Sequence, residues 1–409
     1  MRESPIVFDE LAGAHKSLRL AVVTETWPPE VNGVAKTAAR FVEGLRRRGH
    51  QIQLIRPKQS AGERSTPEEI LVRGIAIPSY PDLKMGLPAK SALERLWSFR
   101  RPDVVHVVTE GPLGWSALQA AAKLKLPVVS DFRTNFHAYS GHYGVGWLKK
   151  PILAYLRKFH NRTLATMVPT EAMRADLSAH GFQRLRVIAR GVDTALFDPA
   201  RRDERLRASW GAGPSDLVLL YVGRLAAEKN LPAALSAYEK AGPVKLVLVG
   251  DGPMRRELQA RYPDAVFAGT RSGEDLAAHY ASGDVFLFPS LTETWGNVTL
   301  EAMASGLAVV AFDYAAAAEV VRHGASGLLV PFHDEASFVD QAAALAADAA
   351  RARRLGQAAR VAAEGRGWDH VVRELESVLF AAADTGRITL QQGAPGRASD
   401  AEAVMHQVA

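Results

Sequence analysis

The chain has 409 residues, 47% of them hydrophobic and 23% charged, a composition typical of a globular protein long enough for two domains. It contains no cysteine, which excludes disulfides and thiolate catalysis, and no run of about 18 apolar residues, which argues against a membrane-spanning helix. The first sixteen residues include Glu3, Asp9 and Glu10 and lack an apolar core, so we expect no secretory signal and a cytoplasmic location.

The formal net charge of +6 is divided unequally along the chain. Residues 1–190 contain 29 Lys and Arg against 16 Asp and Glu, whereas residues 191–409 contain 21 against 28. A basic half beside an acidic half indicates different partners, and nucleic acid or an anionic membrane are the usual candidates for the basic half. A solvated basic surface is the alternative.

Short apolar runs alternate with amphipathic stretches, and this alternation predicts an α/β fold with parallel sheets. In the first half we predict strands over 18–23, 51–55, 104–108, 127–130, 166–168 and 186–189, with helices over 34–48, 113–124, 147–163 and 171–180. In the second half we predict strands over 217–222, 245–249, 266–268, 285–288, 308–311 and 327–330. The crossovers are long enough to return parallel strands, so two doubly wound, Rossmann-like domains should face each other across a cleft.

Changes in composition divide this pattern into segments. We predict a first domain over 17–192 and a second over 214–367, joined by the charged, Gly- and Pro-containing stretch 193–213. A final helix is predicted over 368–383. The polar residues 1–16 and 384–409 are expected to be mobile tails.

Residues 292–306 follow a predicted buried strand and turn into a helix. On one continuous helix, Glu293 and Glu301 would point about 80° apart, but a loop Glu and a helix Glu can converge on one ligand. Between them are free N–H groups at the helix start, which favour a phosphate, at Gly296, Asn297 and Val298. The pattern is typical of a sugar-diphosphate site, and a helix cap plus a surface charge is the alternative.

Two other turns between a strand and a helix have features of a phosphate site. After the first strand, Gly33 and Val34 open a helix at a point where the backbone can approach a phosphate closely. In the second half, Gly223, Arg224 and Lys229 follow a strand. An Arg fork beside a Lys point charge is suited to a leaving diphosphate.

The stretch 130–163 is rich in aromatic and basic residues. Its first part follows a predicted strand and contains Arg133, Asn135, His137 and Tyr139. The helix predicted over 147–163 combines large apolar residues with basic ones, as do interfacial helices on anionic lipid. A core helix with a solvated basic edge is the alternative.

These segments, in this order, resemble glycosyltransferase family 4, a family of retaining enzymes with the GT-B fold. The resemblance rests on Glu-x7-Glu with its Glu-Ala-Met-Ala-Ser-Gly continuation, on Gly-Arg-Leu-x-x-Glu-Lys-Asn and on Pro-Pro-Glu-Val-Asn-Gly-Val, and it covers about residues 18–380. The chain is most similar in character to bacterial lipid-linked mannosyl, glucosyl and sulfoquinovosyl transferases. The resemblance implies a GT-B architecture whose last helix packs back across the domain interface.

The resemblance also implies a reaction and a set of residues. The reaction is transfer of a hexose, with retention, from GDP-mannose or a UDP-hexose to an acceptor hydroxyl. Catalytic roles are implied for Arg224, Lys229, Glu293 and His137. The implied donor site comprises Gly33, Val34, Gly223, Arg224, Lys229, Thr270, Arg271, Glu293, Gly296, Asn297, Val298 and Glu301. The implied acceptor site comprises Arg133, Asn135, His137 and Tyr139, and Arg133 stands where the family has a histidine, so either Arg133 or His137 can take its place.

Absent motifs narrow the function further. No Asp-x-Asp pair occurs, so we expect neither a metal nor another cofactor. Motifs of metalloproteases, α/β-hydrolases, nucleoside triphosphatases and common dinucleotide oxidoreductases are also missing.

Several alternatives for the acceptor and the function stay open. We expect an amphiphilic, glycolipid-type acceptor, peripheral contact with the inner face of the cytoplasmic membrane, and no nucleic-acid partner. A polysaccharide or soluble glycan acceptor, a sugar-nucleotide epimerase, and a non-enzymatic membrane- or nucleic-acid-binding protein are the alternatives.

Overall fold

A computed structural model describes residues 17–30, 32–60, 62–77, 80–133, 149–293 and 295–392. The first domain is built from β1 (Arg19–Val23), α1 (Gly33–Arg47), β2 (Gln51–Pro57), β3 (Glu69–Val72), β4 (Gly74–Ile77), β5 (Tyr80–Gly86), α2 (Lys90–Phe99), β6 (Val104–Val107), α3 (Pro112–Lys123), β7 (Val128–Asp131), α4 (Lys149–His160), β8 (Ala165–Val168), α5 (Glu171–Ala179) and β9 (Leu185–Val187). Seven of these strands form one parallel sheet in the order β3-β2-β1-β6-β7-β8-β9, and β4 pairs with β5 in an antiparallel hairpin.

The second domain repeats this plan. Its elements are α6 (Glu204–Ser209), β10 (Val218–Val222), α7 (Leu231–Ala241), β11 (Lys245–Val249), α8 (Arg255–Arg261), β12 (Val266–Gly269), α9 (Gly273–Ala281), β13 (Val285–Phe288), α10 (Asn297–Ala304), β14 (Ala308–Phe312), α11 (Ala315–Val320), β15 (Gly327–Val330), α12 (Glu335–Ala346), α13 (Ala349–Glu364) and α14 (Trp368–Gln392). Six strands form a parallel sheet in the order β12-β11-β10-β13-β14-β15. The predicted α/β fold with two doubly wound parallel sheets is confirmed.

The apolar runs form central strands because both faces of each sheet are covered by helices. All five residues of β10 are buried, as are all four of β13 and all five of β14. Strands buried on both faces have continuous rather than alternating apolar sequences, which explains why they stand out in the sequence.

The segment 193–213, which the sequence analysis predicted as the connection between the domains, packs against the second domain. Phe197 and Trp210 are buried in the same apolar core as Val218 and Phe286 of the second domain. The buried side chain of Arg207 donates to the carbonyl oxygen of Ser282 at 2.7 Å. The segment is therefore an integral part of the second domain.

The last helix crosses back to the first domain. Val372, Leu375 and Leu379 of α14 are buried with Phe41 and other residues of the first domain's core. Beyond this apolar contact, the carboxylate of Glu376 lies 2.6 Å from Nη2 of Arg48 and 2.8 Å from Nε2 of His50. The expected packing of the last helix across the interface is thus present.

The last helix is also nine residues longer than predicted. It continues to Gln392, so residues 384–392 are not part of a tail. Gly386 lies within this added part of the helix. In the structure, a Cβ at this position would lie 2.8 Å from the ring of Pro127, so the glycine permits close packing within the helix.

Among the described residues, no helix combines the length and the apolar character needed to cross a bilayer.

Candidate active site

The order of the strands brings the predicted donor loops together. β1 lies between β2 and β6, and β10 lies between β11 and β13, so each sheet reverses its winding direction at one of these strands. Ligands of doubly wound sheets bind beyond the carboxyl ends of the strands at such a point. The loops that begin there include 24–32, 223–230 and 289–296.

Glu293 is held in place by the loop that follows β10. Its Oε1 accepts hydrogen bonds from Nζ of Lys229 and, at 3.0 Å, from Oγ of Ser290. The hydroxyl of Tyr314 donates to the backbone carbonyl of Glu293 at 3.0 Å and so fixes the loop itself. One carboxylate oxygen is therefore occupied, while Oε2 has no hydrogen bond to any described residue and is available to a ligand.

The start of α10 lies directly after Glu293. Gly296 has a φ of +89°, a left-handed conformation that glycine adopts without strain, and it turns the chain into the helix. The first N–H groups of a helix have no partners within it. This turn therefore combines free hydrogen-bond donors with the positive end of the helix dipole. The side-chain oxygens of Asn297 and Thr299 are enclosed and have no hydrogen-bond partner among the described residues.

Glu301 lies within α10 and is held there by a tyrosine. The hydroxyl of Tyr280 donates to Oε2 of Glu301 at 3.0 Å. Burial raises the pKa of Glu301 above its ordinary value, while the tyrosine hydrogen bond and the charge of Lys36 act in the other direction. Because Lys36 belongs to α1, this interaction brings the two domains into electrostatic contact across the cleft.

Arg224 lies beside this cluster but is not engaged by it. Its side chain is 66% exposed, and its closest acidic partner is Glu228 at 3.7 Å. A long cationic side chain at the rim of a cleft is free to turn towards an incoming anion. The tight turn beneath it is formed by Gly223 and Gly250, whose backbones are in close contact.

Thr270 and Arg271 lie further from the cluster, after the edge strand β12. Both are exposed. Arg271 donates from Nε to the carbonyl of Ala268 at 2.9 Å and from Nη1 to Asp275 at 3.1 Å. The structure therefore does not join these two residues to Glu293.

The first-domain wall of the cleft contains Gly33 and Val34 at the start of α1. The side chain of Asn32 caps this helix by accepting from the backbone N–H of Ala35 at 2.8 Å. The guanidinium of Arg190 lies over Gly33, where a Cβ would be only 2.6 Å from Nη1. Sequence reasoning missed Arg190, although a charged residue directly after a predicted strand was a usable signal.

Arg133 lies deeper in the same wall. Its Nε donates to Asp131 at 3.1 Å, and its Nη2 donates to the carbonyl of Ile188 at 3.2 Å. The other oxygen of Asp131 lies 2.9 Å from Nε2 of His106. Burial raises the pKa of Asp131, but the positive charges of Arg133 and His106 outweigh burial and hold it below its ordinary value. The other predicted acceptor residues, Asn135, His137 and Tyr139, lie outside the described residues.

A cavity of about 370 Å³ lies behind the cleft, where the two domains and α14 meet. Arg190 from the first domain and Trp295 from the donor loop line it, together with His370 and Glu374 of α14. The cavity adjoins the cluster around Glu293 without including Glu293 itself. It therefore lies at the junction of the first domain, the donor loop and α14.

Comparison with known proteins identifies this arrangement. Residues 31–196 match Glycosyltransferase Family 4, and residues 216–348 match Glycosyl transferases group 1. Over 367 residues the chain is 36% identical to a GDP-mannose-dependent alpha-mannosyltransferase of Mycobacterium tuberculosis, a match that covers 88% of this chain and 95% of the relative. The chain belongs to glycosyltransferase family 4. It is therefore an enzyme, a glycosyltransferase, as the motifs in its sequence predicted.

Other members of this family extend the comparison. The chain is 29% identical over 316 residues to an alpha-monoglucosyldiacylglycerol synthase of Streptococcus pneumoniae, covering 72% of this chain and 71% of the relative. Among solved structures, Anabaena HepE in complex with UDP has a TM-score of 0.72 at 18% identity, over 89% of this chain and all of HepE. The structural similarity confirms the GT-B fold of this glycosyltransferase.

Proposed function

We propose that this glycosyltransferase moves mannose, with retention and without a metal, from GDP-mannose to a hydroxyl of a glycolipid-type acceptor. The observation that carries the proposal is the placement of Glu293, its partner Lys229 and the start of α10 in one cleft. GDP-mannose is favoured over a UDP-hexose because the Mycobacterium tuberculosis relative is named for it. A lipid acceptor is favoured because the Streptococcus pneumoniae relative is named as an alpha-monoglucosyldiacylglycerol synthase.

Departure of the nucleoside diphosphate develops negative charge on the oxygen that leaves C1 of the sugar. Lys229 and Arg224 offset this charge. The N–H groups at Gly296, Asn297 and Val298 donate hydrogen bonds to a phosphate oxygen. The free Oε2 of Glu293 orients sugar hydroxyls. Glu301, steadied by Tyr280, accepts from the ribose hydroxyls.

The remaining predicted donor residues surround this centre. Gly33 and Val34 approach the donor from the first domain, and Gly223 shapes the turn below Arg224. Thr270 and Arg271, which follow the edge strand β12 of the second sheet, are assigned to the nucleobase of the donor.

Retention follows from attack on the face that the diphosphate leaves. The acceptor oxygen bonds to C1 as the bond from C1 to the phosphate oxygen breaks, and the acceptor's proton passes to that departing oxygen. No protein nucleophile is needed. An NMR spectrum of the product anomer tests this step: an α-linked product from the α-linked donor supports it, and a β-linked product refutes it.

The acceptor side belongs to the first domain in this proposal. Arg133 is at its inner end, and Asn135, His137 and Tyr139 complete it, with Arg133 or His137 facing the reacting sugar. Helix α4 next to this segment exposes Lys150, Arg157 and Lys158. Exposed basic residues on one helix suit contact with an anionic membrane surface.

The decisive experiment is transfer of radiolabelled sugar from GDP-mannose, UDP-glucose and UDP-glucuronic acid in the presence of a bacterial lipid extract. Label from GDP-mannose should enter the organic phase, and Glu293→Gln should abolish this. Glu257→Gln, which changes an exposed carboxylate on α8, is the matched control and should transfer normally. Label that stays in water refutes the lipid acceptor, and a different preferred donor refutes GDP-mannose.

Metal independence has its own measurement. Transfer should continue at an unchanged rate in millimolar EDTA, because fixed cations serve the leaving group. Loss of activity that Mg²⁺ or Mn²⁺ restores would contradict this part of the proposal.

A further inference from the structure

Arg190 is a buried cation for which the described part of the chain provides no hydrogen-bond or ion-pair partner. It is only 7% exposed, yet it makes no hydrogen bond or ion pair with any described residue, and its Nε is fully enclosed. Its guanidinium lies over Gly33, at the positively polarised start of α1. A charge that is largely buried and has no bound partner is unfavourable, and the guanidinium also lines the cavity behind the cleft, so its position favours a compensating ligand.

The carboxylates near Arg190 compensate its charge only in part, because neither forms a hydrogen bond or an ion pair with it. Glu293 and Asp131 are the two acidic groups that favour its charge. Lys229 and Ser290 already bind Glu293, and Arg133 and His106 already bind Asp131. Arginine remains charged at neutral pH, since even with burial the pKa of Arg190 is lowered only to about 9.

Arg133 is a second cation with an unused donor on the same wall. Its side chain is 1% exposed, and its Nη1 is enclosed without a partner among the described residues. The charge of Arg133 opposes that of Arg190, so the two guanidiniums are close enough to repel each other. The two buried arginines repel each other, and both retain free N–H groups. An oxyanion bound between them would stabilise both charges.

We infer that Arg133 and Arg190 form an anion-binding site on the first-domain wall of the cleft, which takes an oxyanion of the phosphate type. Two sources supply such a group next to the transferred sugar. One is the diphosphate of the donor, reached from the side opposite to Lys229. The other is a phosphate in the head group of the acceptor. The inference rests on the proposed function only for the identity of these two sources.

Binding titrations of the whole protein test the site without relying on catalysis. Calorimetry with pyrophosphate represents the donor, and calorimetry with sn-glycerol 1-phosphate represents the acceptor. Arg190→Met should weaken at least one of them by about tenfold or more, the value expected for a lost charge-assisted hydrogen bond. Arg190→Lys, which keeps the charge but not the fork, should lose less. Arg186→Met, on exposed β9, is the matched control and should bind both probes as the wild type does.

Thermal unfolding separates an anion site from a structural arginine. Without an anion, Arg190→Met should melt at the same or a higher temperature, because it removes an uncompensated buried charge. The measurement is then repeated with 10 mM of the probe that loses affinity in the titration of Arg190→Met. This probe should raise the melting temperature of the wild type, and it should raise that of the variant less. A variant that melts lower without the anion and gains as much as the wild type would overturn the inference.

The outcomes of the titrations are distinct. Loss of pyrophosphate binding alone assigns the site to the donor, and loss of glycerol phosphate binding alone assigns it to the acceptor. Unchanged binding of both probes overturns the inference. If the wild type transfers no sugar at all, the proposed function fails, but these titrations still decide whether the two arginines bind an anion.

Discussion

Lys229 and Glu293 form an ion pair between two loops that are adjacent because β10 and β13 are neighbouring strands. The side chains are 19% and 15% exposed, so the pair is shielded but still open to the cleft. A lysine in this position holds the carboxylate in place, and in the proposed reaction it also supplies a positive charge beside the leaving group. Sheet topology, rather than proximity in sequence, creates this part of the site.

Replacement of that lysine should affect catalysis much more than stability. We expect Lys229→Met to lower kcat/KM by about 10²–10³, as loss of one preorganised charge does in other enzymes. The free energy of unfolding should fall by about 1 kcal/mol or less, because the ion pair is partly solvated. Steady-state kinetics and urea unfolding measure the two effects. Lys240→Met, at a surface ion pair with Asp340, is the control and should leave kcat/KM unchanged.

The turn under Arg224 should tolerate no side chain. A Cβ at Gly250 would lie 1.9 Å from the carbonyl oxygen of Gly223, a contact between backbones that cannot move aside. We expect Gly250→Ala to destabilise the protein by about 3 kcal/mol or more. Gly242→Ala also has a positive φ but meets no atom within 4 Å, so it should cost only the backbone strain, about 1–2 kcal/mol. Equal losses for the two variants in urea unfolding would contradict this explanation.

Glu25 should make stability depend on pH. Burial raises the pKa of Glu25 to about 7, and the charge of Glu110 adds to the rise against opposing backbone hydrogen bonds that include Leu113. The folded state therefore retains a proton that the unfolded chain loses near pH 4.5, so this residue's contribution to stability falls as the pH rises from about 4.5 to 7. Between pH 4.5 and 8, Glu25→Gln should gain about 3 kcal/mol relative to the wild type in urea unfolding. A difference that is constant with pH would refute the shift.

The attachment of α14 to the first domain should depend on Glu376. Glu376→Gln removes the charge that binds both Arg48 and the buried His50, and we expect a loss of about 2 kcal/mol in the free energy of unfolding. Glu374→Gln on the same helix is the matched control. Its carboxylate is 43% exposed and lies 3.4 Å from His370, so its loss should stay within about 0.5 kcal/mol. Similar losses for both variants would show that the helix does not depend on this carboxylate.

Much of the fold follows from sequence periodicity. The strands over 245–249, 285–288 and 327–330 have the predicted bounds. Each is a continuous apolar run, which is the sequence pattern of a strand buried between two layers of helices. The elements β3, β4 and β5 over 69–86 were not predicted. β3 is half-buried at the edge of the sheet, so no continuous apolar run marks it.

Site residues that lie in recognisable sequence motifs could be predicted, whereas residues that only the fold brings to the site could not. Glu293 and Lys229 lie in recognisable motifs, and the structure places them in contact. Arg190 lies 157 residues after Gly33 and shares no motif with it, so only the folded first domain brings the two residues together.

The return of α14 has a consequence for synthesis on the ribosome. Phe41, Val42 and Leu45 of α1 are covered by Val372 and Leu375, which emerge more than 300 residues later. The first domain cannot complete its core while the second is being translated, and one face of α1 stays uncovered until the C-terminal helix has left the exit tunnel. Nascent chains that stop before residue 368 should therefore be bound by chaperones that recognise exposed apolar side chains.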